Sequence, residues 1–300
     1  MPDLGALVPD SPGAVVPSGD VGPLSGVRVV AKDVIDVAGT ITGAGNPDWG
    51  AAQRPAPAHA TAVAALLHAG AGLAGKGQCA ELAYSVSGDN VHYGMPRNPA
   101  APDRDPGGST SGPAAAAAGG LCDLGIGTDT LGSTRIPASY CGLYGFRPTH
   151  GAISTAGVLP LAQRFDTVGL LASEPAALRR AADVLLGNRA AVGDDPPRRL
   201  LIATDALAVA DPDVAEAVRA ATERLGHSLG ATLEPVELLS GDTPGFDAAM
   251  EAFTVLQAPR CGGTSAPGWR RRTRPWAPTP RRAWRMPPAS LPPTSHGPSP

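Results

Sequence analysis

The sequence predicts an α/β fold, and three stretches carry that expectation. Residues 27–31 (VRVVA) form a short apolar, β-branched run that reads as a buried strand delivering Lys32 at its end. Residues 58–69 (AHATAVAALLHA) have helical composition and stop at Gly70, and AGLAGK then reads as a short strand up to Lys76, a βαβ-like rhythm. Leu200 to Ala203 opens a strand–helix–strand unit whose helix begins DPDVAEAVRAATERLG, with Asp211 as N-cap and Pro212 at the first helical position. The ends of strands are where open α/β sheets place their chemistry, so the residues at these ends are the first candidates for function.

The other elements follow in order. Residues 1–25 are rich in Pro and Gly and read as a surface wrap. Residues 81–99 (ELAYSVSGDNVHYGMPRNP) form a long polar loop of the kind that lines a site, and within it Ala83, Tyr84 and Ser85 are the expected substrate contacts. Residues 112–120 are mostly alanine, a helix with so little bulk that it can lie close against neighbouring backbone, and LGIGT after it reads as a strand. Residues 174–186 read as a helix capped by Ser173 and closed by Gly187. No internal repeat is visible.

Composition narrows the classes of function. The chain has 300 residues, 43% apolar and 4% aromatic, with a net charge of −3. Four cysteines (Cys79, Cys122, Cys141, Cys261) fall at wide spacings without a CxxC pair, which suggests neither a disulfide framework nor a zinc site. With no signal-like start and no long uninterrupted apolar run, we expect a cytoplasmic protein without membrane or nucleic-acid partners.

The most informative stretch is residues 106–137, PGGSTSGPAAAAAGGLCDLGIGTDTLGSTRIP, which sets Ser109 and Ser133 in Gly-rich turns on either side of the Ala-rich segment. A serine hydroxyl attacks an amide poorly unless a base takes its proton, and a lysine serves as that base only when neutral. Lys32, flanked by VVA and by Val34 and Ile35, sits in a setting suited to burial, which favours the neutral amine. GGSTSG alone also fits a phosphate-cradling loop or a linker, although no G-x-x-x-x-G-K pattern accompanies it. Thr110 and Ser111 read as turn-stabilising hydroxyls, Asp129 and Arg135 as a pair holding the turns, and Lys76 as a strand-end charge. His92 and His150 read as loop or pocket-wall residues, because the six histidines show no pairing suited to a general base or metal.

Together these blocks resemble the amidase signature family: GGS-x-S-G, then GTDT-x-GS-x-RIPA, then CGLYGFRPTHG at residues 141–151. The resemblance covers residues 27–256 and implies a large twisted mixed β-sheet covered by helices on both sides, with the C-terminal part of the family fold missing. Carried over by motif, it implies Lys32 as base, Ser109 as bridging serine behind a cis peptide bond, and Ser133 as nucleophile. It further implies an oxyanion hole from the backbone N–H groups of Thr130, Leu131, Gly132 and Ser133, with no metal or organic cofactor. The wording of GNPDW at 45–49, of 83–99 and of 139–169 is most similar to the indole-3-acetamide hydrolase branch, which implies a small primary amide as substrate. The alternatives are a ureido or other small-amide hydrolase, a catalytically silent truncated scaffold, and the A-type component of an amidotransferase. Two positions depart from the pattern. Leu131 stands where the family has a glycine and would strain the turn if that position needs a positive φ, and Pro113 replaces a small residue.

The segment after the catalytic domain, expected at 1–258, differs in kind. Residues 259–300 hold eight of the 24 Lys and Arg residues and no Asp or Glu, and with Ala258 they include eleven prolines and three of four tryptophans. A basic nucleic-acid-binding arm is one reading. We expect instead a disordered tail, produced by a shift of reading frame near residues 256–260, where the helical pattern of MEAFTVLQ is lost.

Overall fold

The computed structural model describes residues 3–9, 16–187, 196–239 and 245–261. All lie in the unit Met1–Thr264; the residues from 262 onward, and with them most of the segment expected to be a tail, lie outside the described residues.

The chain forms β1 (Arg28–Lys32), α1 (Pro47–Ala51), α2 (Thr61–His68), β2 (Gly72–Gly77), α3 (Ser111–Ala118), β3 (Leu124–Asp129), α4 (Arg135–Tyr140), β4 (Tyr144–Phe146) and β5 (Thr167–Ala172). There follow α5 (Pro175–Leu186), β6 (Arg199–Ala203), α6 (Thr204–Ala208), α7 (Pro212–Leu229), β7 (Thr232–Val236) and α8 (Phe246–Cys261). Five strands make one mixed sheet in the order β2-β1-β3-β5-β4, with β1 parallel to β2 and β3, and β5 antiparallel to β3 and β4. The strand–helix–strand unit expected from Leu200 onward is a separate parallel pair, β6-β7, with α7 between its strands in sequence and packed on both. The wrap expected at the start runs along the outer edge of β2, where Leu7 and Val16 make antiparallel bridges to Gly77 and Leu73.

Strand alternation sorts the core into two layers. Val29 and Ala31 of β1, Leu124 and Ile126 of β3, and Leu170 of β5 pack with Val63 and Leu66 of α2 and Ala181 of α5. Val30 and Leu171 point the other way, against Ala114 to Ala117 of α3 and Ala138 of α4. Lys32 shares the parity of Val30, so the sequence period itself aims it at the face that carries α3. Close approach on that face depends on missing side chains. A Cβ at Gly125 would stand 2.6 Å from Leu171 and 3.0 Å from Pro113, and one at Gly127 would collide with the side chain of Thr110. The alanines of α3 supply the complementary flat surface.

Two local expectations change. The residue before α5 is Glu174, not Ser173, because Pro175 takes the first helical position, and Glu174 makes no side-chain cap. Asp211 and Pro212 do begin α7, which ends at Gly230 in the left-handed region (φ 63°). Pro113 fits the first turn of α3, where its missing N–H has no intrahelical partner to lose. α8 continues to Cys261, past the 258/259 boundary suggested by the sequence. Among the described residues no helix is long and apolar enough to cross a membrane.

Candidate active site

Lys32 ends β1, Ser109 lies immediately before α3, and Ser133 lies in the turn between β3 and α4. The fold brings all three to one end of the sheet. Lys32 Nζ is 2.7 Å from Ser109 Oγ and 2.8 Å from Thr128 Oγ1, and Lys32, Ser109 and Ser133 are all buried. The Gly108–Ser109 peptide bond is cis. Thr110 N–H donates to the carbonyl of Ser133 at 3.1 Å, so the two serine turns are tied directly to each other. Burial of the Lys32 amine lowers its pKa from 10.5 to about 8, against the pull of the Asp129 and Asp166 carboxylates toward the charged form. At pH 7 that value leaves about one molecule in ten with a neutral amine.

The Ser133 turn is built around one carboxylate. Asp129 accepts from the N–H groups of Gly132 (2.8 Å), Thr134 (3.2 Å) and Arg135 (3.2 Å), and its oxygens face the guanidinium groups of Arg135 and Arg147 at 3.0 Å. Burial alone would raise its pKa, but the hydrogen bonds and charge of Arg135, with the backbone donors, bring it down to about 2. Asp129 and Arg135 therefore hold the turn, as the sequence suggests. The Gly132 N–H is spent on Asp129, which corrects its assignment to the oxyanion hole. The N–H groups of Thr130, Leu131 and Ser133 have no hydrogen-bond partner among the described residues. Leu131 is also not the strained position: the positive φ (116°) falls on Gly132, and the Leu131 side chain is exposed.

The segment that holds the expected substrate contacts is tied to the Ser109 turn. Ala80 N–H donates to Ser109 O at 3.2 Å and Gly108 N–H to Val86 O at 2.7 Å, so both ends of the segment are pinned to the turn. Leu82 and Ala83, with φ of 50° and 60°, adopt a conformation unusual for residues with side chains, held by Leu82 N–H to Ala44 O at 2.7 Å. Ala83 is buried, whereas Tyr84 and Ser85 are exposed. His92 pairs with Glu81 at 3.0 Å and His150 Nε2 lies 2.9 Å from Gln163 O, so both belong to loops.

The model for the family described as Amidase matches residues 11–243. The chain belongs to the amidase family. It is 52% identical over 182 residues to "Amidase 1" of Arabidopsis thaliana, covering 61% of this chain and 43% of that protein. It is 35% identical over 248 residues to the A-type component of the glutamyl-tRNA(Gln) amidotransferase of Methanospirillum hungatei, covering 78% of this chain and 56% of that protein. A crystal structure of an amidase superposes with a TM-score of 0.67 at 32% identity, over 79% of this chain and 52% of that one. The chain thus spans about half the length of the relatives it matches.

One reading of an individual residue is refined and one corrected in this amidase-family chain. Lys76 is the strand-end charge the sequence suggests, at the end of β2, and the structure adds that it is buried, paired with Asp33 Oδ1 at 3.0 Å, and bonded to Ile41 O at 2.8 Å. Asp33 in turn accepts from the N–H groups of Gly43 and Gly45, so the loop after β1 folds over the lysine and removes it from water. Ser111 is not a turn-stabilising hydroxyl, since its buried Oγ has no hydrogen-bond partner among the described residues, whereas Thr110 Oγ1 donates to Thr128 O at 3.4 Å. The residues that sequence reasoning passed over are Thr128, Arg147 and Asp166. Arg147 bonds the Asp129 carbonyl and reaches Phe165 O at 2.9 Å, and Asp166 accepts from Thr130 Oγ1 at 2.7 Å. Their only sequence signal is a charge or hydroxyl beside an apolar strand.

Proposed function

We propose that the chain is an amidase that hydrolyses the C–N bond of a small primary amide to acid and ammonia through an acyl-enzyme. The observation that carries this reading is the buried Lys32 Nζ at 2.7 Å from Ser109 Oγ, with its amine biased toward the neutral form. Ser133 Oγ attacks the amide carbon while its proton passes to Ser109 Oγ and the Ser109 proton passes to Lys32 Nζ. The N–H groups of Thr130, Leu131 and Ser133 receive the oxyanion of the tetrahedral intermediate. Collapse returns the proton to the leaving nitrogen and ammonia departs; water then attacks the ester and gives its proton to Ser109 and Lys32, and the second collapse breaks the bond to Ser133 Oγ, releases the acid and returns a proton to Ser133. Indole-3-acetamide is the preferred substrate candidate, supported by the wording of residues 45–49, 83–99 and 139–169. A small molecule is the only partner this reading needs, and it fits a cytoplasmic protein.

The test is a fluorophosphonate that labels activated serines, with the adduct mapped by mass spectrometry. Label on Ser133, absent in Ser133→Ala and Lys32→Ala and slow in Ser109→Ala, supports the reading; label on Ser109 reverses the two serine roles. A second reading, the A-type component of an amidotransferase, is favoured by the longer match to the archaeal relative. Release of free ammonia from an amide by the chain alone excludes the need for a partner.

A further inference from the structure

We infer that Asp166 is a positioning residue for the oxyanion-binding turn, acting through the hydroxyl of Thr130. The assignment rests on reading Ser133 as the nucleophile. Thr130 is the first residue beyond β3, where ladder hydrogen bonding ends and the backbone must turn to present its N–H to a substrate. Two contacts fix it at that point: its carbonyl accepts from Arg147 Nη1 at 3.4 Å, and its hydroxyl donates to Asp166 Oδ1 at 2.7 Å. Thr130 and Asp166 are both buried.

The carboxylate is itself immobile. It accepts from Leu161 N–H at 2.9 Å and from Ala162 N–H at 3.0 and 2.9 Å, which closes the loop before β5 onto it. Asp166 adjoins Thr167, which opposes Asp129 in the sheet and donates its own hydroxyl to Asp129 O at 2.9 Å. Three donors therefore converge on Asp166, and a carboxylate is the side chain that accepts from all of them while presenting no donor of its own. Its hydrogen-bond partners are these N–H and O–H donors. The hydroxyl of Thr130 thereby ties the β5 end of the sheet to the turn that carries Ser133, and a Val of the same shape would cut that tie.

The experiment measures the rate of fluorophosphonate labelling at Ser133 in the full chain, with folding checked by circular dichroism. Thr130→Val should slow labelling by about tenfold to a hundredfold, short of the 10²–10³ lost with a whole oxyanion donor. Thr130→Ser keeps the hydroxyl and should stay within about threefold of wild type. Thr130→Val combined with Asp166→Asn should be no slower than the slower single variant, because both remove the same tie. On a primary amide the loss should fall on kcat, with KM changed by less than about threefold. Wild-type labelling in Thr130→Val, or equal slowing in Thr130→Ser and Thr130→Val, overturns the assignment. If Asp166→Asn does not fold, the Thr130 pair decides alone. A wild-type chain that takes no label at Ser133 overturns the nucleophile reading itself, and this assignment with it.

Discussion

Replacing Lys32 by Met separates what this side chain does for catalysis from what it costs the fold. Its pKa of about 8 lies some 2.5 units below the ordinary value, equivalent to about 3 kcal/mol at 1.36 kcal/mol per unit. Because the folded pKa is the lower one, the ionised lysine destabilises the fold below about pH 8, and the cost is relieved as pH rises from 8 toward 10.5. Met removes that penalty but also the contacts to Ser109 and Thr128, worth about 1 kcal/mol each. The variant should therefore be about 1 kcal/mol more stable than wild type at pH 7 in urea unfolding, and should lose this advantage by pH 10. Labelling of Ser133 should vanish in it. In wild type the labelling rate should rise about fivefold from pH 7 to 8 and less than twofold from 8 to 9, following the neutral amine. A flat profile, a midpoint near 10.5, or a Lys32→Met protein that still labels would refute the buried neutral base.

The remaining predictions probe the scaffold around it. Lys76→Met should destabilise the protein by about 3–5 kcal/mol in urea unfolding, because it strands Asp33 as a buried charge; a loss below 1 kcal/mol would show that the pair is hydrated. Leu131→Gly should leave the Ser133 labelling rate within about threefold, since the exposed Leu131 is not in the positive-φ region; a large gain in rate would restore strain as the explanation of this departure. Gly127→Ala should push Thr110 and the start of α3 away from β3 and slow labelling by more than about tenfold, measured on folded protein; an unchanged rate would mean that α3 shifts without disturbing Ser109.

The elements visible in the sequence are those whose signal is local. β1, α2, β2, α3, β3, α5 and α7 each carry a run of the right period with a stop or start residue, and the structure moves their ends by a residue or a few. β4 and β5 were not legible as strands because the short YGF run and TVGLLA acquire their meaning only by pairing beside β3. The serine turns could be read because the chemistry confines them to glycine-rich segments. Asp166 could not, since its partner Thr130 lies 36 residues away and is brought to it by the pairing of β3 with β5, and neither could Arg147, which reaches Asp129 across 18 residues from the end of β4. Burial of Lys76 was invisible for a similar reason: a lysine at a strand end reads the same until the loop from Asp33 to Gly45 closes over it.

Lys32 and Lys76 make the decisive comparison, because both are buried lysines at the ends of adjacent parallel strands, in register positions one apart. Lys76 faces a carboxylate at 3.0 Å together with a carbonyl, so its positive charge is answered in place. Lys32 faces two neutral hydroxyls, and the nearest carboxylates are committed elsewhere: Asp33 to Lys76, Asp129 to Arg135 and Arg147, and Asp166 to backbone donors and Thr130. Burial without a carboxylate in direct contact favours the neutral amine of Lys32, even against the more distant pull of Asp129 and Asp166. On the proposed mechanism the distribution of carboxylates separates the two lysines: Asp33 pairs with Lys76 beneath the loop after β1, and Lys32, without such a pair among the described residues, is the one placed to take the proton of Ser109.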